Sequence, residues 1–116
     1  MSFEGISLGC RGEDMALEYL QKRGFELVKR NLRLRLGEID LLMMDKDVLV
    51  VVEVKTKSSD KFGAPQEQVN YFKQRKLLQL AKSLWQLYPD HKIRIDVVAI
   101  NMENGSIEHI ENAVEE

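Results

Sequence analysis

Gly37-Glu38-Ile39-Asp40-Leu41-Leu42-Met43-Met44, Asp45-Lys46-Asp47 and Val48-Leu49-Val50-Val51-Val52-Glu53-Val54-Lys55-Thr56-Lys57 form the stretch whose reading decides the fold. Two apolar runs of strand length flank a polar triplet, which spells a β-hairpin with a tight turn. The second run is the most β-prone in the chain, with valine at Val50, Val51, Val52 and Val54. Side chains alternate between faces along a strand. Glu38, Asp40, Leu42 and Met44 are therefore expected on one face, and Leu49, Val51, Glu53 and Lys55 on one face of the partner. A turn centred between Lys46 and Asp47 pairs positions whose numbers sum to 93. Asp40 then stands opposite Glu53 and Glu38 opposite Lys55, with paired residues about 4.5–5.5 Å apart. An odd-length turn would send the partners to opposite faces.

Outward from the hairpin, Asn31-Leu32-Arg33-Leu34-Arg35-Leu36 reads as the end of a preceding strand, leucines on one face and arginines on the other. Before it, residues from about Ser7 to Arg23 read as a helix, with Leu8, Met15, Ala16, Tyr19 and Leu20 near helical spacing and Gly24 as a stop. After the hairpin, Ser58–Pro65 reads as a polar loop. Gln66 to Tyr88 reads as the longest helix, with Val69, Phe72, Leu77, Leu80, Ala81, Leu84 and Leu87 as its buried side. Ile93 to Ile100 and Ser106 to Ile110 read as strands about an Asn104-Gly105 turn. The order α-β-β-β-α-β-β implies an α/β fold, a mixed central β-sheet flanked by helices.

The 116 residues suit one domain, residues 1–116. The net charge of −2 does not announce a polyanion partner. Its distribution says more: residues 21–82 carry 14 Lys/Arg against 8 Asp/Glu, and the rest of the chain 3 against 11. A basic middle can bind nucleic acid through one face, or be a solvated mixed surface. One cysteine excludes an internal disulfide, and with two histidines it argues against structural zinc. No leader pattern and no apolar run of about 20 residues is present, so a cytoplasmic protein with no membrane association is expected.

The chemistry lies in the hairpin. Glu53 interrupts a run of valines, and a lone buried carboxylate costs several kcal/mol unless paired or neutralised. Two facing carboxylates repel and raise one pKa. A divalent cation removes both penalties; Mg²⁺ takes one or two carboxylates, with water and phosphate oxygens as the other ligands. Such a cation can polarise a phosphodiester, and Lys55, two positions after Glu53, can stabilise the charge that develops. A structural Glu53–Lys55 or Glu38–Lys55 ion pair is the plainer explanation. Glu13, one turn before Ala16 and Leu17, points partly along an apolar face and can reach the cluster, or simply sits in a helix first turn where an acid is favoured. Arg33, Arg35, Lys57, Lys73 and Lys76 can meet phosphates or face solvent. His109 reads as a surface or packed histidine rather than a base. Tyr71 and Phe72 read as including a core residue rather than a stacking platform.

Gly12-Glu13, Gly24-Phe25, Arg30-Asn31, Gly37-Glu38-Ile39-Asp40-Leu41, Val52-Glu53-Val54-Lys55, Phe62-Gly63-Ala64-Pro65, Val69 with Lys73, and Arg94-Ile95-Asp96-Val97-Val98 occur in one order. Together they resemble the YraN family of small bacterial proteins. That family is similar to the restriction-endonuclease-like superfamily and, within it, to the archaeal Holliday junction resolvases. The resemblance implies a restriction-endonuclease-like fold and a metal-dependent Asp…Glu-X-Lys site. Asp40, Glu53 and Glu13 would be ligands of Mg²⁺ or Mn²⁺, and Lys55 the catalytic lysine. It implies an endonuclease acting on DNA, branched or single-stranded, with a homodimer by analogy with the resolvases. Two other functions fit the residues: a nucleic-acid-binding module of the same fold with little or no turnover, and an interaction domain with no nucleic-acid role.

Overall fold

A computed structural model describes residues 8–57 and 71–114. Helix α1 (Leu8–Lys22) precedes strands β1 (Glu26–Leu34), β2 (Gly37–Asp45) and β3 (Val48–Lys57). Helix α2 (Tyr71–Leu84) follows, then strands β4 (Lys92–Asn101) and β5 (Ile107–Ile110). The order is the expected one. The loop read over Ser58–Pro65, and Val69 with it, lies outside the described residues.

The five strands form one sheet in the order β1-β2-β3-β4-β5. β3 and β4 run parallel and the other neighbours antiparallel, which makes the sheet mixed. Its two sides carry separate cores. Leu42, Leu49, Val51, Ile95 and Val97 meet Leu77, Leu80, Ala81 and Leu84 of α2. Leu41, Met43, Val50, Val52, Val98 and Ile100 meet Ala16 and Leu20 of α1. Each fully buried aliphatic side chain contributes roughly 1.5–3 kcal/mol of transfer free energy.

Local chemistry sets the ends of the elements. At the end of α1, Gly24 has φ +95°, Gly24 N donates to Gln21 O and Phe25 N to Leu20 O, each at 3.0 Å. This left-handed cap satisfies carbonyls the helix leaves open. Helix α2 stops four residues before the expected Tyr88. The N–H groups of Trp85, Gln86 and Leu87 turn back to carbonyls three residues earlier, a tightened last turn that swings the chain away. Leu87, expected to be buried, is exposed. Phe72, also assigned to the buried side, is 80% exposed. β1 ends at Leu34, so Leu36 lies in the hairpin turn and is exposed instead of sharing a face with Leu32 and Leu34.

The β2–β3 hairpin has a two-residue turn, Lys46-Asp47, with Lys46 at φ +58°. The expected register holds from Asp45↔Val48 to Leu41↔Val52. The ladder ends there, so Asp40 and Glu53 are next in line without being a ladder pair, and Glu38 does not pair with Lys55. Ile39 packs in the α2-side core and Leu41 in the α1-side core, although residues two apart in a regular strand share a face. The faces therefore exchange across Asp40, and strict alternation from Glu38 to Met44 fails at that point. On β1, Asn31 sits between the pairs Arg30↔Leu41 and Leu32↔Ile39 with φ +55°. Asparagine tolerates this left-handed conformation better than most residues.

Candidate active site

The face exchange frees Asp40 from the ladder and turns its carboxylate toward β3. Val54 N donates to Asp40 Oδ2 at 3.0 Å, so an acid side chain takes a strand N–H. Glu53 precedes Val54 and is itself buried. Asp40, Glu53 and Glu38 line one groove of about 440 Å³, closed on the other side by Phe72, Lys73, Lys76 and two leucines of α2.

Two lysines converge on Glu53. Lys55 Nζ lies 3.5 Å from Glu53 Oε1, and Lys73 Nζ lies 2.6 Å from the same oxygen. Lys73 is one turn before Leu77 and two before Leu80, so the helical stripe that buries the leucines aims Lys73 at the sheet. Burial disfavours the charge on Lys73, but its bond to Glu53, its contact with Lys55 and the charges of Glu53 and Asp40 together outweigh this and raise its pKa. Lys55 moves the other way, lowered by burial and then by the nearby Lys73. Asp40 is pushed up to about 6 by burial and by the charge of Glu53. The Val54 N–H opposes that rise, and Glu13 adds to it.

Glu13 is held beside this pair. Arg30 Nε lies 3.5 Å from Glu13 Oε1, while Arg30 Nη1 lies 2.6 Å from Asp14 Oδ1. With its amide oriented by the hydrogen-bond network, Asn31 donates to Glu13 Oε1 at 3.0 Å and to Glu38 Oε1 at 3.1 Å. The left-handed Asn31 thus ties the α1 acid to the β2 acid. Gly12 makes this approach feasible, because a Cβ there would collide with Thr56 Cγ2 of β3.

Of the expected site residues, Asp40, Glu53, Lys55 and Glu38 come together, with Glu13 adjoining. Among the described residues no three His, Cys, Asp or Glu side chains gather closely enough to hold a metal. Asp40 and Glu53 form a two-carboxylate set, which fits a Mg²⁺ or Mn²⁺ ion that takes water and phosphate as its other ligands. Of the expected phosphate contacts, Lys73 lies inside the site and Lys76 on the groove wall. Arg33 is exposed, 3.5 Å from Glu38 Oε2, and lines a shallow second cleft with Arg35. Lys57 ends β3.

Sequence reasoning did not find the roles of Lys73, Arg30 and Asn31. The Lys73–Leu77–Leu80 spacing was the available signal for the first; the other two depend on the β1–β2 register. Of the two placements expected for His109, surface or packed, the structure has the packed one: its side chain is 1% exposed and Nε2 lies 2.7 Å from Asp96 Oδ2.

Residues 12–100 match the sequence profile of the Uncharacterised protein family UPF0102. The chain belongs to the UPF0102 family. This is the family that the motif set resembled. The UPF0102 protein of Thermodesulfovibrio yellowstonii is 45% identical over 109 residues, covering 93% of this chain and 96% of the relative. That of Geobacter metallireducens is 41% identical over 120 positions, covering 99% and 98%. Among solved structures, the EndoMS–dsDNA2 complex aligns with this UPF0102 chain at a TM-score of 0.49 and 21% identity. The alignment covers 82% of this chain and spans 38% of the EndoMS chain. No helix among the described residues of this UPF0102 protein is long and apolar enough to cross a membrane.

Proposed function

We propose that the groove is the active site of a Mg²⁺- or Mn²⁺-dependent nuclease that hydrolyses phosphodiester bonds in DNA. The observation that carries this reading is the joining of Asp40 and Glu53 at one groove, with Lys55 and Lys73 both at Glu53. Asp40 and Glu53 would hold the cation. When bound, it supplies Lewis acidity at the phosphate and a hydroxide near neutral pH. Lys55 Nζ carries a proton it gives up more readily than an ordinary lysine, and it can hydrogen-bond to the phosphoryl oxygen as negative charge builds there. Lys76, on the groove wall, can position a neighbouring phosphate. Glu38, Asn31 and Glu13 orient one another at the rim, which supports the Asp40 side of the site.

The test is cleavage of labelled duplex, single-stranded, flap and four-way-junction DNA with Mn²⁺. Asp40→Ala and Glu53→Ala are run in parallel, with circular dichroism as the check on folding. Both variants are expected to stay folded and lose cleavage. Cleavage by both at the parental rate would sink the site assignment.

A second reading, a binding module without turnover, is favoured by one distance. The Lys73 ammonium 2.6 Å from Glu53 already compensates that carboxylate, as a cation would. It predicts binding that weakens steeply with salt, because counterions are released from phosphates, and no cleavage with any metal.

A further inference from the structure

Phe72 is at odds with its helix. Leu77, Leu80, Ala81 and Leu84 are buried, yet the Phe72 ring is 80% exposed. A phenyl ring this exposed gains little from hydrophobic burial. It is also not placed at random: it lines the same groove as Asp40, Glu53, Lys73 and Lys76. One wall therefore carries an aromatic ring next to ammonium groups, and the floor carries the two acids.

A nucleic-acid strand has the complementary pattern, anionic phosphates alternating with flat apolar bases. In a duplex the bases are stacked on each other and unavailable to a side chain. In a single strand they are free to stack on an aromatic ring, at about 1–3 kcal/mol per base. We infer that Phe72 is a stacking platform for an unpaired base beside the phosphate at the Asp40–Glu53 site, which makes single-stranded DNA the preferred ligand of the groove. The inference rests on the nuclease reading for its location and goes beyond it in naming the substrate class and the residue that selects it. Phe72 is a specificity-determining residue here. It acts on the base, while the lysines act on the phosphate and serve single strand and duplex alike.

The experiment is fluorescence anisotropy of labelled oligothymidylate and of a duplex of equal length, at low salt in EDTA. Parent, Phe72→Leu and Phe72→Trp are compared. The leucine variant should bind the single strand about tenfold more weakly and the tryptophan variant as well as the parent, since stacking needs a π-face. Duplex binding should stay within about twofold, because the phosphate contacts are untouched. A strand with one base replaced by an abasic sugar should lose affinity for the parent and much less for Phe72→Leu. Equal losses on single strand and duplex, or no loss on either, overturn the inference. Manganese-dependent cleavage by the parent that Glu53→Ala abolishes leaves the nuclease reading standing in that case. Failure of the parent to bind either DNA overturns the inference, and the nuclease reading then stands or falls on the manganese-dependent cleavage alone.

Discussion

Lys73 Nζ and Glu53 Oε1 are 2.6 Å apart, and this contact joins helix α2 to strand β3 at the groove floor. The ammonium occupies charge space that a divalent cation would share. Lys73→Met should therefore tighten Mn²⁺ binding, by roughly two- to tenfold given that Lys73 is partly exposed and the pair is screened by solvent. DNA affinity should fall at the same time. Isothermal titration with the metal alone separates the effects; weaker metal binding in the variant would refute competition at Glu53.

Asp40 carries a stability cost. Its pKa is up at about 6 in the fold, against an ordinary value of 3.8, so the native state binds more protons than the unfolded state between the two. Stability is expected to fall as pH rises through that window and to stay lowered above it. Asp40→Asn keeps an oxygen for Val54 N–H and removes the charge. It should stabilise the metal-free protein at pH 7 by roughly 1–3 kcal/mol and abolish cleavage. Urea titrations at pH 4 and pH 7 check the sign: the gain must be larger at pH 7.

Asp96 works in the opposite direction. Burial alone would raise its pKa, but the bonds from His109, Arg94 and the Asn112 N–H outweigh burial and lower it. Arg94 Nε lies 2.9 Å from Oδ1, and Arg94 Nη2 also reaches Asp45 at 3.2 Å. A carboxylate depressed in the fold stabilises at pH values above its unfolded pKa, and that stability is lost as pH falls through the lower folded value. Asp96→Asn should cost about 3 kcal/mol at pH 7, since Arg94 keeps Asp45 as a partner. The loss should shrink in acid below about pH 4. A cost that does not change with pH would show that packing alone is at stake.

Gly12 sets the distance between α1 and β3. Gly12→Ala gains helix propensity of about 1 kcal/mol. It also drives a Cβ into Thr56, a stiff β-branched side chain. Overpacking of this kind costs typically 1–3 kcal/mol, so a net drop in thermal midpoint of a few degrees is expected. Gly12→Ala with Thr56→Ser should recover most of the loss. No recovery would place the cost elsewhere.

The hairpin was legible because two independent signals agreed there. The polar triplet located the turn and left its length open, and of the two registers this allowed, the even one holds from Asp45↔Val48 to Leu41↔Val52. The exchange of faces at Asp40 was not legible, since it depends on Asn31 adopting φ +55° on the neighbouring strand. Nothing in a β2 pattern reports the backbone of β1. Lys73 was readable in its spacing from Leu77 and Leu80, but a lysine on a helix most often faces solvent, and its bond to Glu53 was not among the roles expected of it. Phe72 was misread because aromatic residues normally follow the apolar stripe. The Asp96–His109 contact needed the β4–β5 register, which pairs Val98 with His109 and so sets Asp96, two residues before Val98, diagonally beside His109.

The parallel pairing of β3 with β4 has a kinetic consequence. Val48 meets Lys92 only after the whole intervening segment, α2 included, has been closed into a loop. The β1–β2–β3 meander needs only short turns, so local strand pairing should precede the docking of α2. On an open hairpin in water, the repulsion between Asp40 and Glu53 is weak; it grows when α2 covers the groove and lowers the dielectric. The penalty is then felt mainly after the rate-limiting barrier. Asp40→Asn should slow unfolding and leave the folding rate nearly unchanged, with the whole gain appearing on the unfolding limb of a chevron plot.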